Sequence, residues 1–153
     1  MQRLARVLLV AAAVLAASCG GGGGSDNPVS PSTQATLTGS WKATRAEFVN
    51  ASNSSLRVEV CGLGTTLTLT LESGGTYTQK ITDPGQAGQT TTGTWSASKE
   101  VLTLKPTGIS GETQFDMTLN GTTLTLKNGH VLFDVNGDGT NEEALAFLTL
   151  ARQ

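Results

Sequence analysis

Residues 65–71, which read TTLTLTL, decide the fold of this chain because apolar and polar side chains alternate strictly along them. Leu67, Leu69 and Leu71 fall on one face of an extended strand, and the intervening threonines fall on the other. Such alternation is typical of a strand with one buried and one solvated face. No helical spacing of apolar residues is sustained after Cys19, so the sequence predicts no long helix.

The same alternation recurs in the second half of the chain. It returns at residues 101–104, 113–119 and 122–126. Thr is abundant and only 5 % of the residues are aromatic, which together with the Leu content favours strands over helices. The sequence therefore predicts an all-β domain of about eight to nine strands.

Short glycine-containing segments mark the connections. Ser73-Gly74-Gly75 and Asn120-Gly121 predict tight hairpins, and Asn128-Gly129 predicts a further hairpin turn before Val131. Strands joined in this way pair with their neighbours, and such a sheet closes most simply into an antiparallel up-and-down β-barrel. A sandwich ranks second, since it needs a long crossover and only residues 50–63 are long enough to supply one.

The N-terminus has the organisation of an export signal. Arg3 and Arg6 precede residues 7–17, an unbroken run of Val, Leu and Ala that is too short to span a bilayer. The small residues Ala17 and Ser18 followed by Cys19 resemble a bacterial lipobox, which is cut before a cysteine that carries a diacylglyceryl group. The resemblance implies a protein anchored to a membrane through acylated Cys19. An ordinary secretory signal is the alternative.

This resemblance also implies a location and three segments. Because Gly20, not Asp, follows the cysteine, the sorting rule of enteric bacteria favours the outer membrane of the cell envelope. We expect a signal peptide at 1–18, a lipidated Cys with a Gly/Ser/Pro-rich tether at 19–36, and the barrel at 37–153. The tether has too few apolar residues to fold and should behave as a flexible coil.

Charge and cysteine content exclude several functions. Without Arg3 and Arg6, the eight remaining Lys and Arg residues face twelve acids and form no basic cluster, so nucleic-acid binding is not expected. If Cys19 is acylated, Cys61 has no disulfide partner, and we interpret it as a small apolar residue. The sequence has only one histidine, His130, distant from Cys61, so no nucleophile–base pair indicates an enzyme.

Gly39-Ser40-Trp41, at the start of the first strand, resembles the G-x-W signature of lipocalins and related calycin barrels. In that family the tryptophan plugs one end of the barrel and an arginine from the last strand packs across it. The resemblance therefore assigns Gly39, Trp41 and Arg152 to a barrel-closing motif. Gly93-Thr94-Trp95 repeats the triplet, as lipocalin-like bacterial lipoproteins often do. The helix and the disulfide of animal lipocalins have no counterpart in the sequence.

A barrel of this kind has an apolar interior. It either encloses a pocket for a small apolar ligand or is filled by its own side chains, and the spacing of the residues does not distinguish the two. The candidate lining residues are Leu67, Leu69, Leu71, Tyr77, Trp95, Leu104, Phe115, Met117, Leu124 and Phe133.

An acidic loop near the C-terminus has the spacing of a calcium site. Its oxygen ligands would come from positions 1, 3, 5, 7 and 9 of the loop, with a glycine at position 6 for the bend. These ligands are Asp134, Asn136, Asp138, the Thr140 carbonyl and Glu142. The loop departs from an EF-hand, since it lacks the Glu at position 12 and its flanks read as strands. The alternative is a long turn made by Asp, Asn and Gly.

Two functions compete at this point. The first is a lipid-anchored binding module whose barrel takes up a small apolar molecule or docks an envelope partner. The second is a structural or spacer lipoprotein with a packed barrel and no ligand. A hydrolase is a distant third, because no catalytic arrangement is visible.

Overall fold

The structure is a computed structural model that describes residues 35–153. Its secondary structure consists of nine strands, one short 3-10 turn and helical residues at 35–37. The strands are β1 (Gly39–Asn50), β2 (Arg57–Glu59), β3 (Thr66–Leu71), β4 (Thr76–Thr82), β5 (Gln89–Ala97), β6 (Val101–Pro106), β7 (Thr113–Asn120), β8 (Thr123–Phe133) and β9 (Glu142–Arg152), and the turn is Cys61–Leu63. Cys19 and the expected signal peptide lie outside the described residues. Within them, no helix has both the length and the hydropathy needed to cross a bilayer.

The strands form one closed antiparallel sheet. From β3 to β9 each strand pairs with the next, and β1 pairs with both β3 and β9. These eight strands close the barrel, while β2 is an additional strand that pairs with β1. The predicted all-β up-and-down barrel is confirmed. The segment from 50 to 63, which alone could have served a sandwich, instead carries β2 and the 3-10 turn.

Alternating strand directions give the barrel two different ends. We call the end at which the chain begins β1 the closed end; the loops after β3, β5 and β7 also lie there. The opposite end, which we call the mouth, carries the β1–β3 connection and the loops after β4, β6 and β8. The closed end has the short hairpin loops, at residues 72–75, 98–100 and 121–122, whereas the connections at the mouth are longer, at residues 51–65, 83–88, 107–112 and 134–141.

The core follows the alternation that the sequence shows. Leu67, Leu69 and Leu71 point inward and are at most 2 % exposed. Their threonine neighbours lie on the outer face and retain more exposure. Burying one such leucine contributes about 1.5 to 3 kcal/mol, so this strand alone is a large part of the apolar driving force.

One predicted turn is wrong. Asn128-Gly129 lies within β8 and forms no hairpin, because the residues on both sides of it pair with the same strand, β9. The register shifts between Leu126 and Gly129, and Asn128 has a φ of 59°. The positive φ that favours an Asn-Gly hairpin also suits a β-bulge, which bends a strand without ending it. His130 accordingly lies on the exposed face of a strand and not in a turn.

Candidate functional site

The closed end is plugged by one aromatic side chain and one cation. Trp41 is fully buried, and its indole Nε1 donates to the carbonyl oxygen of Leu37 at 2.9 Å. The guanidinium carbon of Arg152 lies 4.3 Å from the centroid of the Trp41 ring. Arg152 also donates from Nη1 to the Thr38 carbonyl at 2.9 Å and from Nη2 to the Thr36 carbonyl. The side chain thereby joins the last strand to the residues preceding the first.

Glycine is required beside this plug. Gly39 has a φ of +136°, and a Cβ there would lie 2.8 Å from Nη1 of Arg152. The structure therefore brings Gly39, Trp41 and Arg152 together at one place. The positive φ and the close approach of Arg152 both favour glycine at position 39, so Gly39 belongs to the barrel-closing motif.

The second Gly-x-Trp triplet lies on β5 and is also a packing element. Trp95 is buried and donates from Nε1 to the Glu72 carbonyl at 2.9 Å. A Cβ at Gly93 would lie 2.7 Å from Cε1 of Tyr77 and 2.1 Å from the Lys105 carbonyl oxygen. Gly93 thus leaves space for the Tyr77 ring and lets β5 approach β6 closely.

A small cavity of about 30 Å³ remains in the barrel interior. Pockets that enclose a drug-sized ligand measure roughly 300 to 1,000 Å³, so the interior is nearly filled. The lining residues are Phe48, Leu67, Leu69, Tyr77, Gln79, Thr91, Leu104, Pro106, Thr113, Phe115, Leu126, Ala146 and Leu148. Many of them belong to the halves of their strands nearer the mouth.

The predicted lining residues divide into two groups. Five of them line the cavity: Leu67, Leu69, Tyr77, Leu104 and Phe115. The remainder are buried elsewhere in the core: Leu71, Trp95, Met117, Leu124 and Phe133. The ring of Phe133 stacks on Phe48 with a centroid distance of 4.0 Å, which joins β8 to β1 near the mouth.

Sequence reasoning missed eight of the lining residues, and the most informative of them is the polar Gln79. It is 6 % exposed and lies between Tyr77 and Ile81 on the inward face of β4. Its backbone pairs with Leu69 on one side and with Thr91 on the other. The alternation through Tyr77 and Ile81 indicates that residue 79 points inward. Gln79 was nevertheless not predicted as a lining residue, because the predicted lining residues were chosen for being apolar.

The mouth is partly open beside β5. Thr91 is half-buried and Gln89 is exposed, although both share the inward phase of Trp95. Thr113, which is buried on β7, donates through its hydroxyl to the His130 carbonyl at 3.3 Å. Thr91, Pro106 and Thr113 therefore lie on the side of the cavity that leads towards solvent.

The acidic loop at the mouth is organised by its own backbone. Asp134 is buried, and its two carboxylate oxygens accept backbone N–H groups of Gly137, Asp138 and Gly139 at 2.7 to 3.1 Å. Oε2 of Glu142 accepts the Val135 N–H at 2.9 Å. These hydrogen bonds from the loop backbone to Asp134 and Glu142 stabilise the turn that the sequence offered as the alternative to a calcium site.

The other two side chains of the predicted calcium set lie beside each other. Asn136 donates from Nδ2 to Oδ2 of Asp138 at 3.0 Å, and Oδ1 of Asp138 accepts the Thr140 N–H at 2.8 Å. The bond from Thr140 and the contact with Asn136 lower the pKa of the Asp138 carboxyl. Within residues 35–153 no group of three or more His, Cys, Asp or Glu is placed to hold a metal ion. Calcium binding stays a prediction.

Glu59 organises the 3-10 turn at the mouth. Its carboxylate accepts backbone N–H groups of Ala46 at 2.9 Å, Cys61 at 3.1 Å and Gly62 at 2.6 Å. Burial acts to raise the pKa of Glu59, but these backbone bonds outweigh it and the pKa is lowered. Burial and the negative charge of Glu59 raise the pKa of the Cys61 thiol, which disfavours the reactive thiolate.

These features define a calycin-type barrel: a closed up-and-down sheet with a tryptophan under an arginine at one end. The chain belongs to the lipocalin-like domain family, whose profile matches residues 37–126. That match includes β1 to β7 and the first part of β8, whereas Arg152 and the acidic loop lie beyond it. No curated protein matches the chain.

Proposed function

We propose that this protein is a membrane-anchored binding module whose lipocalin-like barrel holds a small, mostly apolar molecule. The observation that carries the proposal is the difference between the two halves of the barrel. The closed end is filled by Trp41 beneath Arg152, whereas a cavity remains in the interior towards the mouth. In a barrel with a purely structural role, side chains that fill the whole interior would add dispersion contacts and stabilise the fold. A cavity towards the mouth is therefore better explained by ligand binding.

A second candidate function is that of a tethered structural spacer. The specific observation in its favour is the size of the cavity, which at about 30 Å³ admits only a few atoms. Under the first proposal the interior side chains must move apart to admit a whole ligand. Under the second they keep the arrangement seen here.

Native mass spectrometry of the full chain, purified from its own host, separates these functions. A co-purifying small molecule, released when the barrel is unfolded, is the outcome expected of a binding module. A single mass without adduct, obtained repeatedly in mild detergent, favours the spacer. A protein adduct would instead indicate that the barrel binds an envelope partner.

The location and the ion site form separate proposals. Cys19 is proposed to carry the lipid anchor in a bacterial cell envelope, with the outer membrane favoured by Gly20. The acidic loop is proposed to bind Ca²⁺ through the oxygens that the sequence indicates. Neither proposal depends on the ligand of the barrel, and each can be tested separately.

A further inference from the structure

We infer that Gln79 binds the head group of the ligand and that this head group is a neutral hydroxyl or amide. The inference rests on the proposed function, since it assumes that the barrel takes up a small molecule. It adds the chemistry of recognition: one uncharged group that both donates and accepts hydrogen bonds, attached to an apolar remainder.

The first observation is a buried amide without a protein partner. Gln79 is 6 % exposed and lines the cavity. Among residues 35–153, the side chain of Gln79 and the hydroxyl of the neighbouring Tyr77 form no hydrogen bond with another protein group. Every polar side-chain atom that is fully enclosed in this part of the chain does have a partner, so the polar atoms of Gln79 and Tyr77 are not fully enclosed. The polar atoms of both residues therefore border the cavity space. These atoms are accessible to a water-sized molecule, so a polar group bound in the cavity can form hydrogen bonds with them that no protein group supplies.

The second observation is the match between cavity and head group. A volume of about 30 Å³ exceeds the roughly 10 to 15 Å³ that one water molecule requires, so two or three non-hydrogen atoms fit beside Gln79. A hydroxymethyl or amide group has this size. A complete apolar ligand does not, and its remainder must extend past Thr91 and Pro106 towards the mouth.

The third observation is the absence of charge around the cavity. None of the lining residues, all of which belong to the described range, is Asp, Glu, Lys, Arg or His. An ionised carboxylate placed there would lose its hydration and find no cation, which makes its binding unfavourable. A glutamine amide offers both a donor and an acceptor, which a neutral hydroxyl or amide satisfies completely.

The test is a titration of the ¹⁵N-labelled full chain, followed by ¹H–¹⁵N NMR. The probes are 1-hexanol, hexanoate and benzene, which represent a neutral polar head, an anionic head and no polar head. The Gln79 side-chain NH₂ signals are assigned by their loss in Gln79→Leu. We expect 1-hexanol to shift these signals and to bind about tenfold or more tightly than hexanoate.

Three variants make the result specific. Gln79→Leu keeps the approximate shape but not the polarity, so its affinity for 1-hexanol should fall by about tenfold while benzene still binds. Tyr77→Phe should also weaken 1-hexanol binding, and it provides a second reading if Gln79→Leu folds poorly. Thr78→Val, one residue away on the exposed outer face of β4, should change nothing.

Each contrary result has a distinct meaning. Equal binding of hexanoate overturns the neutral head group, and equal binding of 1-hexanol by Gln79→Leu overturns the role of Gln79; interior binding survives both. Failure of every probe to shift signals of the barrel interior overturns the inference as stated. A small molecule that co-purifies in native mass spectrometry would still uphold the proposed function in that case.

Discussion

Arg152 shows how a single side chain stabilises the closure of the barrel. Its guanidinium lies over the Trp41 ring and donates to two backbone carbonyls that precede β1. A cation over an indole contributes about 0.5 to 2 kcal/mol, and each hydrogen bond adds about 0.5 to 1.5 kcal/mol. The planar fork matters here, since a lysine has the charge but cannot stack and donate in two directions.

We therefore predict that Arg152→Lys lowers the free energy of unfolding by about 1 to 3 kcal/mol, measured by urea denaturation. Arg57→Lys is the matched control, because Arg57 is exposed and its contacts are a 2.8 Å hydrogen bond to the Ser54 carbonyl and a 3.8 Å contact with Glu47. That control should stay within about 0.5 kcal/mol of wild type. Equal losses in both variants would show that Arg152 has no special role.

Glu59 gives the mouth a dependence on pH. Its pKa is lowered in the folded protein, so the carboxylate contributes stability above its unfolded pKa, and this contribution is lost as the pH falls through the folded pKa. In Glu59→Gln one amide oxygen replaces two carboxylate oxygens, and at least one backbone N–H loses its acceptor.

We expect Glu59→Gln to be less stable than wild type at pH 7 by about 1 kcal/mol, and the difference to shrink towards pH 3. Urea denaturation of both proteins at several pH values measures it. Asp138, whose pKa is also lowered, titrates in both proteins and cancels in the comparison. A difference that does not vary with pH would mean that the ionised form of Glu59 is not what the turn requires.

At the scale of a strand, the bulge in β8 depends on Gly129. A Cβ at this position would lie 2.0 Å from Cε1 of Phe115, a residue that is only 2 % exposed. The ring cannot move without disturbing the cavity that it lines. The bulge thus lets β8 bend across the core while the backbone stays close to an aromatic ring.

Gly129→Ala is accordingly expected to lose about 1 to 3 kcal/mol of stability or more by overpacking. Gly74→Ala serves as the control, because nothing lies within 4 Å of a Cβ built at Gly74, in the β3–β4 hairpin. Thermal denaturation followed by circular dichroism compares the two. Equal melting temperatures for both variants would contradict the close packing of Gly129 against Phe115.

Strands β3 and β8 show what the sequence can and cannot predict. Alternation at residues 65–71 was sufficient for β3, because side-chain phase depends only on local spacing. Asn128-Gly129 was assigned to a hairpin because the local signal is shared by a hairpin and a bulge. The choice depends on whether the flanking residues pair with each other or with β9, which is a property of the whole sheet. Gln79 was missed for a related reason: its phase is local, but the cavity depends on the packing of all eight barrel strands.

The acidic loop between β8 and β9 supports a further prediction at the scale of an element. Asp134, Asp138 and Glu142 lie within nine residues, and Ca²⁺ would offset their mutual repulsion. The ion must compete with the backbone N–H groups that these carboxylates accept. Extracellular calcium modules typically bind at about 10⁻⁴ to 10⁻³ M, so millimolar calcium should stabilise the fold by about 0.4 to 1.4 kcal/mol.

The melting temperature should therefore rise with millimolar calcium and fall with EDTA, and Asp138→Ala should respond to neither. Asp116→Ala, which removes an exposed carboxylate from β7 outside the loop, is the control and should keep the calcium response. A wild-type melting curve that millimolar calcium leaves unchanged would reduce the loop to a turn held by its own backbone.

At the scale of the whole molecule, the chain that precedes β1 joins the barrel at its closed end, opposite the mouth. The described chain enters the barrel at Gly39, beside Trp41 and Arg152, so any N-terminal attachment reaches the barrel at its closed end. The mouth, with the half-buried Thr91 and the acidic loop, is at the far end of the strands. The proposed lipid anchor and the proposed ligand uptake would therefore involve opposite ends of one barrel, and we expect mutations to separate them.

The anchor itself is tested by Cys19→Ser. We expect this variant to move from the membrane fraction to the soluble fraction, because the burial of each acyl CH₂ contributes about 0.8 kcal/mol and stable anchoring takes at least two chains. Its melting temperature should equal that of wild type. Cys61→Ser is the matched control: Cys61 lies in the 3-10 turn at the mouth, so that variant should remain with the membrane. If Cys19→Ser stays membrane-bound while Cys61→Ser behaves like wild type, the lipid anchor is wrong, and attachment must be sought in the uncleaved N-terminal segment or on the outer face of the barrel.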